Sequence, residues 1–421
     1  MATPPRSPRP QRLSPLRVVV RPLQAFFQLE AASGVVLLAC AVGALAWVNL
    51  GGGDAYRAIL GLELSVGAGA AAARFTLLQL VNDGLMTIFF FVVGMEVKRE
   101  LVIGELRTPA RALLPAIAAV GGMIVPAGIY HALNRGGEGA AGWGIPMATD
   151  IAFCIGCLRL LRRRVPHALL VFVTALAIFD DIGGILVIAI FYGSGLHVAW
   201  LAAAGAIGGA LAVLSRLRVG SGVAYAVAGA ALWYALHHAG IHPTIAGVAV
   251  GLAVPARMAR DAGPELEPPL DRFVHALHPW VAFGVMPLFA LANSGVDLSS
   301  LEASQLTGPI ALGTALGLFL GKQAGIFAFA FAATRLGVSP VPGGASTLKL
   351  LGVSIVAGIG FTVALFIANL AFPGAPALLD EAKFGIIAGS LASGLLGCVL
   401  LALTPPVDAA EGEGTPRPEA A

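Results

Sequence analysis

Charge is the scarcest property of this sequence: 26 Lys and Arg and 23 Asp and Glu make up only 12% of 421 residues, against about 25% in an ordinary soluble domain. A soluble globule of this length needs a far more polar surface, so a water-exposed fold is excluded. The net charge of +3 is too small for a nucleic-acid footprint. Cysteine is also sparse. Cys40, Cys154, Cys157 and Cys398 all sit in apolar stretches, too few and too buried for a disulfide framework. No small-residue cleavage site follows the first apolar run near Leu29, so that run is read as a retained helix and not a signal peptide.

What the chain has in abundance is apolar side chains, 57% of residues, and 54 Gly. Both suit helices in lipid, where a crossing takes about 20 apolar residues. Twelve runs qualify, near 29–49, 76–95, 112–133, 143–161, 168–192, 197–214, 222–238, 241–254, 273–294, 309–333, 349–372 and 384–403. The seventh and eighth are short. The ends differ: residues 1–22 are rich in Pro and Arg, and residues 405–421 in Pro, Gly and Glu. Both read as disordered cytoplasmic tails flanking a membrane domain over 23–404.

The few basic residues test the count of twelve. With alternating crossings, 21 of the 26 fall on one set of connections and only Arg57, Arg74, Arg135 and Lys383 on the other, with Lys322 left inside a helix. Under the positive-inside rule both termini are then cytoplasmic. Arg216 and Arg218 share a side with Arg257 and Arg260 only if residues 222–254 cross twice. The expected fold is an all-α polytopic membrane protein with twelve transmembrane helices.

Ionisable residues at mid-helix cost about 2.5–3.5 kcal/mol on insertion scales, so those retained usually face a cavity and work there. Here they are Asp83, Asp150, Asp180, Asp181 and Lys322. Asp150 ends Gly144-Ile145-Pro146-Met147-Ala148-Thr149-Asp150, where Gly and Pro weaken the helix; Gly358-Ile359-Gly360-Phe361-Thr362 is a second weak point. Two interrupted crossing helices, around 144–156 and 356–364, one in each half, point to inverted-topology repeats and a transport site between them. Asp150 can neutralise the exposed helix N-termini and Lys322 the C-termini.

The adjacent Asp180 and Asp181 lie in uninterrupted apolar sequence. With Asp150 and Lys322 ionised they leave the interior net negative, a site for cations, protons included. A hard monovalent cation, Na+ or Li+, finds oxygen ligands in Asp180, Asp181 and the Thr149 hydroxyl, by analogy with other hard cations, and competes with protons for the same oxygens. Asp83 either lines a funnel or caps a helix. Glu96, Lys98, Arg99 and Glu100 are most simply an exposed interfacial cluster, though a cation-attracting mouth would look the same. Gly51-Gly52-Gly53-Asp54 spells the pattern of intramembrane aspartyl proteases, but it falls in the expected external loop and has no Tyr-Asp partner helix. Cys154 and Cys157 share one helix face without a further ligand and read as packing. The chain is therefore expected to be a transporter and no enzyme, with that protease the remote alternative and a sodium-coupled symporter of an organic solute the nearer one.

Val81-Asn82-Asp83-Gly84-Leu85-Met86, Val93-Gly94-Met95-Glu96-Val97-Lys98-Arg99-Glu100-Leu101, Ala148-Thr149-Asp150-Ile151-Ala152-Phe153, the Asp180-Asp181 helix, His278-Pro279-Trp280, Gly321-Lys322 and Gly358-Ile359-Gly360-Phe361-Thr362 together resemble the NhaA-type sodium/proton antiporters, at nearly constant spacing over residues 25–403. The resemblance implies electrogenic export of Na+ or Li+ against protons across a bacterial inner membrane, serving sodium and pH homeostasis. No cofactor is implied, the partners are the cations, protons and the bilayer, and a homodimer is compatible with it. Carried over, Asp181 is the main cation and proton carboxylate, Asp180 its partner, Thr149 a neighbour, and Asp150 and Lys322 compensate the broken helices. Asp83, Glu96 and Glu100 fall to the funnel, and His242 and His275 to a pH response. Val274 stands before His275, and Met258 just after the eighth run, where the family pattern has acids. Alkaline activation thus lacks two of its expected residues.

Overall fold

Proline and glycine placement decides where the apolar runs become helices and where they break. The computed structural model describes residues 30–66, 73–193, 195–257, 267–299 and 302–407. Most of both expected tails and Met258 lie outside the described residues. Residues 405–407, the start of the expected C-tail, are described, and Val407 N donates to Arg163 O at 2.9 Å.

The chain begins with α1 (Glu30–Trp47), passes through a kinked turn with Gly51 at φ +94°, and continues as α2 (Gly53–Leu60). The Gly51–Asp54 stretch is thus a bend between helices and not the loop expected. Its φ is one that a residue with a Cβ rarely adopts. An antiparallel hairpin follows, β1 (Glu63–Val66) with β2 (Ala73–Thr76), in register Leu64 opposite Phe75. This corrects the all-α expectation. Too short for a crossing, each segment alternates polar and apolar residues, which suits a pair of strands.

Next come a continuous helix over Leu77–Val102, whose regular part is α3 (Met86–Val102), and α4 (Pro109–Leu133), opened by a proline in its first turn, where the missing N–H costs nothing. A 3-10 segment, Glu138–Met147, and α5 (Ile151–Leu160) form a bent pair. Then follow α6 (His167–Phe191), α7 (Val198–Arg216), α8 (Gly222–Ala239) and α9 (Ile245–Ala253). Ser221 caps α8, accepting from Ala224 N, and Gly240 ends it at φ +81°. The span Pro269–Asn293 comprises α10 (Pro269–Trp280) and α11 (Met286–Asn293). The span Ser304–Arg335 contains α12 (Pro309–Leu316) and α13 (Gln323–Arg335). Last are α14 (Thr347–Val356), α15 (Phe361–Ala371) and α16 (Pro376–Leu403).

Among the described residues eight helices are long and apolar enough to cross a bilayer, and two bent pairs raise the number to ten. The bends are 41° for Glu138–Met147 with α5 and 46° for α14 with α15. Outside that tally stand α8 and the nine-residue α9, the two runs read as short. Asp83 and Lys322 both fall in widened π-type turns, Leu80–Leu85 and Gly317–Lys322, a local distortion frequent at functional sites.

Candidate cation site at the helix crossing

The two bent pairs meet at their unwound links. Asp150 N donates to Ile359 O at 2.6 Å, so the two links are in backbone contact; the first is extended at Ala148 and Asp150. Only glycine permits this approach: a Cβ on Gly360 would sit 2.9 Å from Ala148 O. Each helix end exposed by the crossing needs partners, since the first N–H and last C=O groups of a helix have none of their own. In hydrocarbon no water supplies them.

Asp150, fully buried, serves both N-termini. Its Oδ1 accepts from Phe153 N at 3.1 Å, capping α5, and its Oδ2 accepts from Thr362 N at 3.0 Å and Thr362 Oγ1 at 2.5 Å, capping α15. A negative charge here also faces the positive ends of two helix dipoles. Lys322 does the converse. Its buried ammonium donates to the carbonyl of Met147, the last residue of the 3-10 segment, and to Asp180 Oδ2 at 2.7 Å.

Asp180 and Asp181 are successive on α6 and both buried. Asp180 Oδ2 takes hydrogen bonds from Lys322 and, at 2.7 Å, from Thr149 Oγ1. The same hydroxyl lies 3.0 Å from Ala357 O, just past the C-terminus of α14. It has one proton for two acceptors. Asp180 Oδ1 and Asp181 Oδ2 accept no hydrogen bond, although both are buried. Buried polar atoms are nearly always paired, and those that are not call for a functional explanation. Two unpaired carboxylate oxygens on neighbouring residues can take up a proton or coordinate a hard cation. Among the described residues no group of three or more His, Cys, Asp or Glu is arranged to hold a metal ion.

The other expected site residues make contacts of their own. Asp83 lies 3.6 Å from His242 Nε2. Glu96 meets His278 Nδ1 at 3.3 Å, and Glu100 Oε2 accepts from Glu105 N at 3.0 Å. His275 pairs with Glu267 at 2.7 Å, so it is His278, one turn on, that faces α3. Val274 is buried. Asp271, one turn before it, pairs with Arg99 at 3.1 Å and bridges α10 to α3.

Sequence reasoning missed the contribution of α16. Ser390 Oγ accepts from Gly360 N and Phe361 N, both at 3.3 Å, and Glu381 Oε1 accepts from Ile310 N and Ala311 N at the start of α12. The signal was a stripe of small residues, Gly385, Gly389, Ser393 and Gly397, spaced four apart and so on one helix face. A Cβ on Gly385 would lie 2.5 Å from Ala311 O and one on Gly389 2.9 Å from Ala315 O. An amide ladder centred on the buried Asn293 was also missed: Asn369 Nδ2 donates to Asn293 Oδ1 at 3.0 Å, and Asn293 Nδ2 to Asn82 Oδ1 at 2.8 Å.

The family model described as Na+/H+ antiporter 1 matches residues 24–401. A protein of Anaeromyxobacter sp. (strain Fw109-5) named Na(+)/H(+) antiporter NhaA is 60% identical over 99% of this chain and 97% of its own length. Na(+)/H(+) antiporter NhaA 1 of Myxococcus xanthus (strain DK1622) is 54% identical over 95% of this chain and 97% of its own. The Na(+)/H(+) antiporter NhaA of Bordetella parapertussis is 48% identical, covering 92% and 97%.

Proposed function

The chain belongs to the Na+/H+ antiporter 1 family, and from that membership we propose that it exports cytoplasmic Na+ or Li+ in electrogenic exchange for external protons across a bacterial inner membrane. It is a multi-pass membrane transporter and not an enzyme. The observation that carries the site assignment is the pair of buried carboxylates with unpaired oxygens beside the crossed helix links.

In this reading Asp181 and Asp180 alternate between protons and the cation, with Thr149 as neighbouring ligand. Binding one ion displaces the other, so the low-dielectric interior never holds both carboxylates bare. Asp150 and Lys322 are the fixed counter-charges of the helix ends, present whichever ion is bound. Asp83, Glu96 and Glu100 line the approaches, and His242 and His275 contribute to pH response. The ten candidate spans together with α8 and α9 make twelve crossings, the two bent pairs occupy equivalent places in inverted repeats, and both termini are cytoplasmic. Hairpin β1–β2 has an unpaired edge on each strand, a ready surface for pairing with a second copy, which supports a homodimer.

The test is exchange in proteoliposomes with an imposed pH gradient. Na+ or Li+ added alone should release protons, and valinomycin with K+ should accelerate the exchange by collapsing the opposing potential. An absolute requirement for an organic solute would replace the antiporter reading with a symporter.

A further inference from the structure

The N-terminus of α15 is held from two sides. Its first free N–H groups can be accounted for individually: Thr362 N goes to Asp150 Oδ2, whereas Gly360 N and Phe361 N both go to Ser390 Oγ on α16. Ser390 is buried, and glycines beyond it on α16 face the end of α14 and the link: a Cβ on Gly397 would lie 2.8 Å from Val356 N and one on Gly394 3.3 Å from the Ile359 side chain. Without that hydroxyl two buried N–H groups lose their acceptor, and buried donors without partners are strongly disfavoured. The same link carries the contacts of Thr362 with Asp150 and of Ile359 O with Asp150 N. Ala357, whose carbonyl competes with Asp180 for the Thr149 hydroxyl, lies only three residues earlier.

We propose that Ser390 is a positioning residue for cation binding, fixing the unwound link 357–360 in register with Asp150 and thereby setting the placement of the Thr149 hydroxyl against Asp180. It touches neither cation nor carboxylate and acts through the backbone of the link. Ser393, one turn further along α16, supplies the internal contrast. It is equally buried, lies next to Gly358, and its hydroxyl has no partner. Removing the Ser393 hydroxyl therefore removes no hydrogen bond.

This inference rests on the exchange reading, and the experiment separates the two. Wild type, S390A, S390C and S393A are reconstituted, and Na+-driven proton release is measured over a Na+ series. S390A should raise the Na+ concentration for half-maximal exchange about five-fold, the effect of losing about one buried hydrogen bond, with the maximal rate retained. S390C, nearly isosteric but a weak acceptor, should shift it in the same direction and serves if S390A does not fold. S393A should match wild type. Wild-type affinity in S390A or S390C overturns the proposal, as does an equal loss in S390A and S393A, which would mean generic packing. Absence of exchange in the wild type would instead overturn the transport reading.

Discussion

Replacing Lys322 by Met removes the ammonium and keeps most of the side-chain volume, so the consequences are chiefly electrostatic. The ammonium lies 2.7 Å from Asp180 Oδ2, with both side chains fully shielded from solvent. At an effective dielectric of about 20 that separation corresponds to a gross attraction of about 6 kcal/mol. Taking away one member of such a pair usually costs about 3–5 kcal/mol, because the survivor is left buried and uncompensated. K322M leaves Asp180 with only the Thr149 hydroxyl and deprives the Met147 carbonyl of its donor. D180N leaves the ammonium with that carbonyl alone, at a similar cost. The double variant K322M/D180N removes both charges, so it should be destabilised by only about 1–2 kcal/mol, far less than either single variant. The measurement is denaturant unfolding of all four proteins in one detergent, followed by tryptophan fluorescence. Additive effects, within about 0.5 kcal/mol, would refute the idea that the two groups are held as a buried charge pair.

Asp180 holds Lys322 and Thr149 through its Oδ2, whereas Asp181 Oδ2 accepts no hydrogen bond. D181N should therefore abolish exchange in proteoliposomes while its unfolding midpoint stays near wild type; retained transport would remove Asp181 from the site. Thr362→Val deletes the 2.5 Å hydrogen bond to Asp150 and leaves the backbone N–H in place. It should lower unfolding stability by about 1.5–3 kcal/mol, the usual value for a bond to a charged group. An unchanged midpoint would mean that Asp150 does not depend on that hydroxyl. Reporter fusions should place the loop at Arg163 in the cytoplasm and the hairpin at residues 63–76 outside, and the same side for both would refute the proposed topology.

Much of the fold was legible because lipid makes errors expensive. A bare charge or broken helix in hydrocarbon survives only with a compensating partner, so Asp150, Asp180, Asp181, Lys322 and the two Gly-rich links stand out by their positions within apolar runs. Where that penalty does not apply, the reading was weaker. Hairpin β1–β2 and the bend at Gly51 lie in the stretch between the first two apolar runs, where neither a buried charge nor a broken apolar run marks the backbone conformation. The histidine that meets Glu96 is His278 and not His275, a choice set by how α10 rotates against α3.

The sequence by itself determined the solvent, the family and the short list of charges that lipid does not easily tolerate. The proposed orientation rests on the uneven distribution of the arginines under the positive-inside rule. Only the tertiary structure decided how those charges are shared out. One carboxylate, Asp150, caps two helices; Lys322 takes Asp180 and the Met147 carbonyl together; Asp181 is left with an oxygen unpaired. The distant partners among these, Asp180 with Lys322, Met147 with Lys322 and Asp150 with Thr362, are 142 to 212 residues apart. Their pairing depends on glycine-spaced helices approaching to backbone contact, and that geometry is a property of the packed bundle. The contribution of Ser390 was hidden for the same reason. A serine in an apolar helix carries no charge to mark it, and its acceptor role exists only once α16 lies against the unwound link.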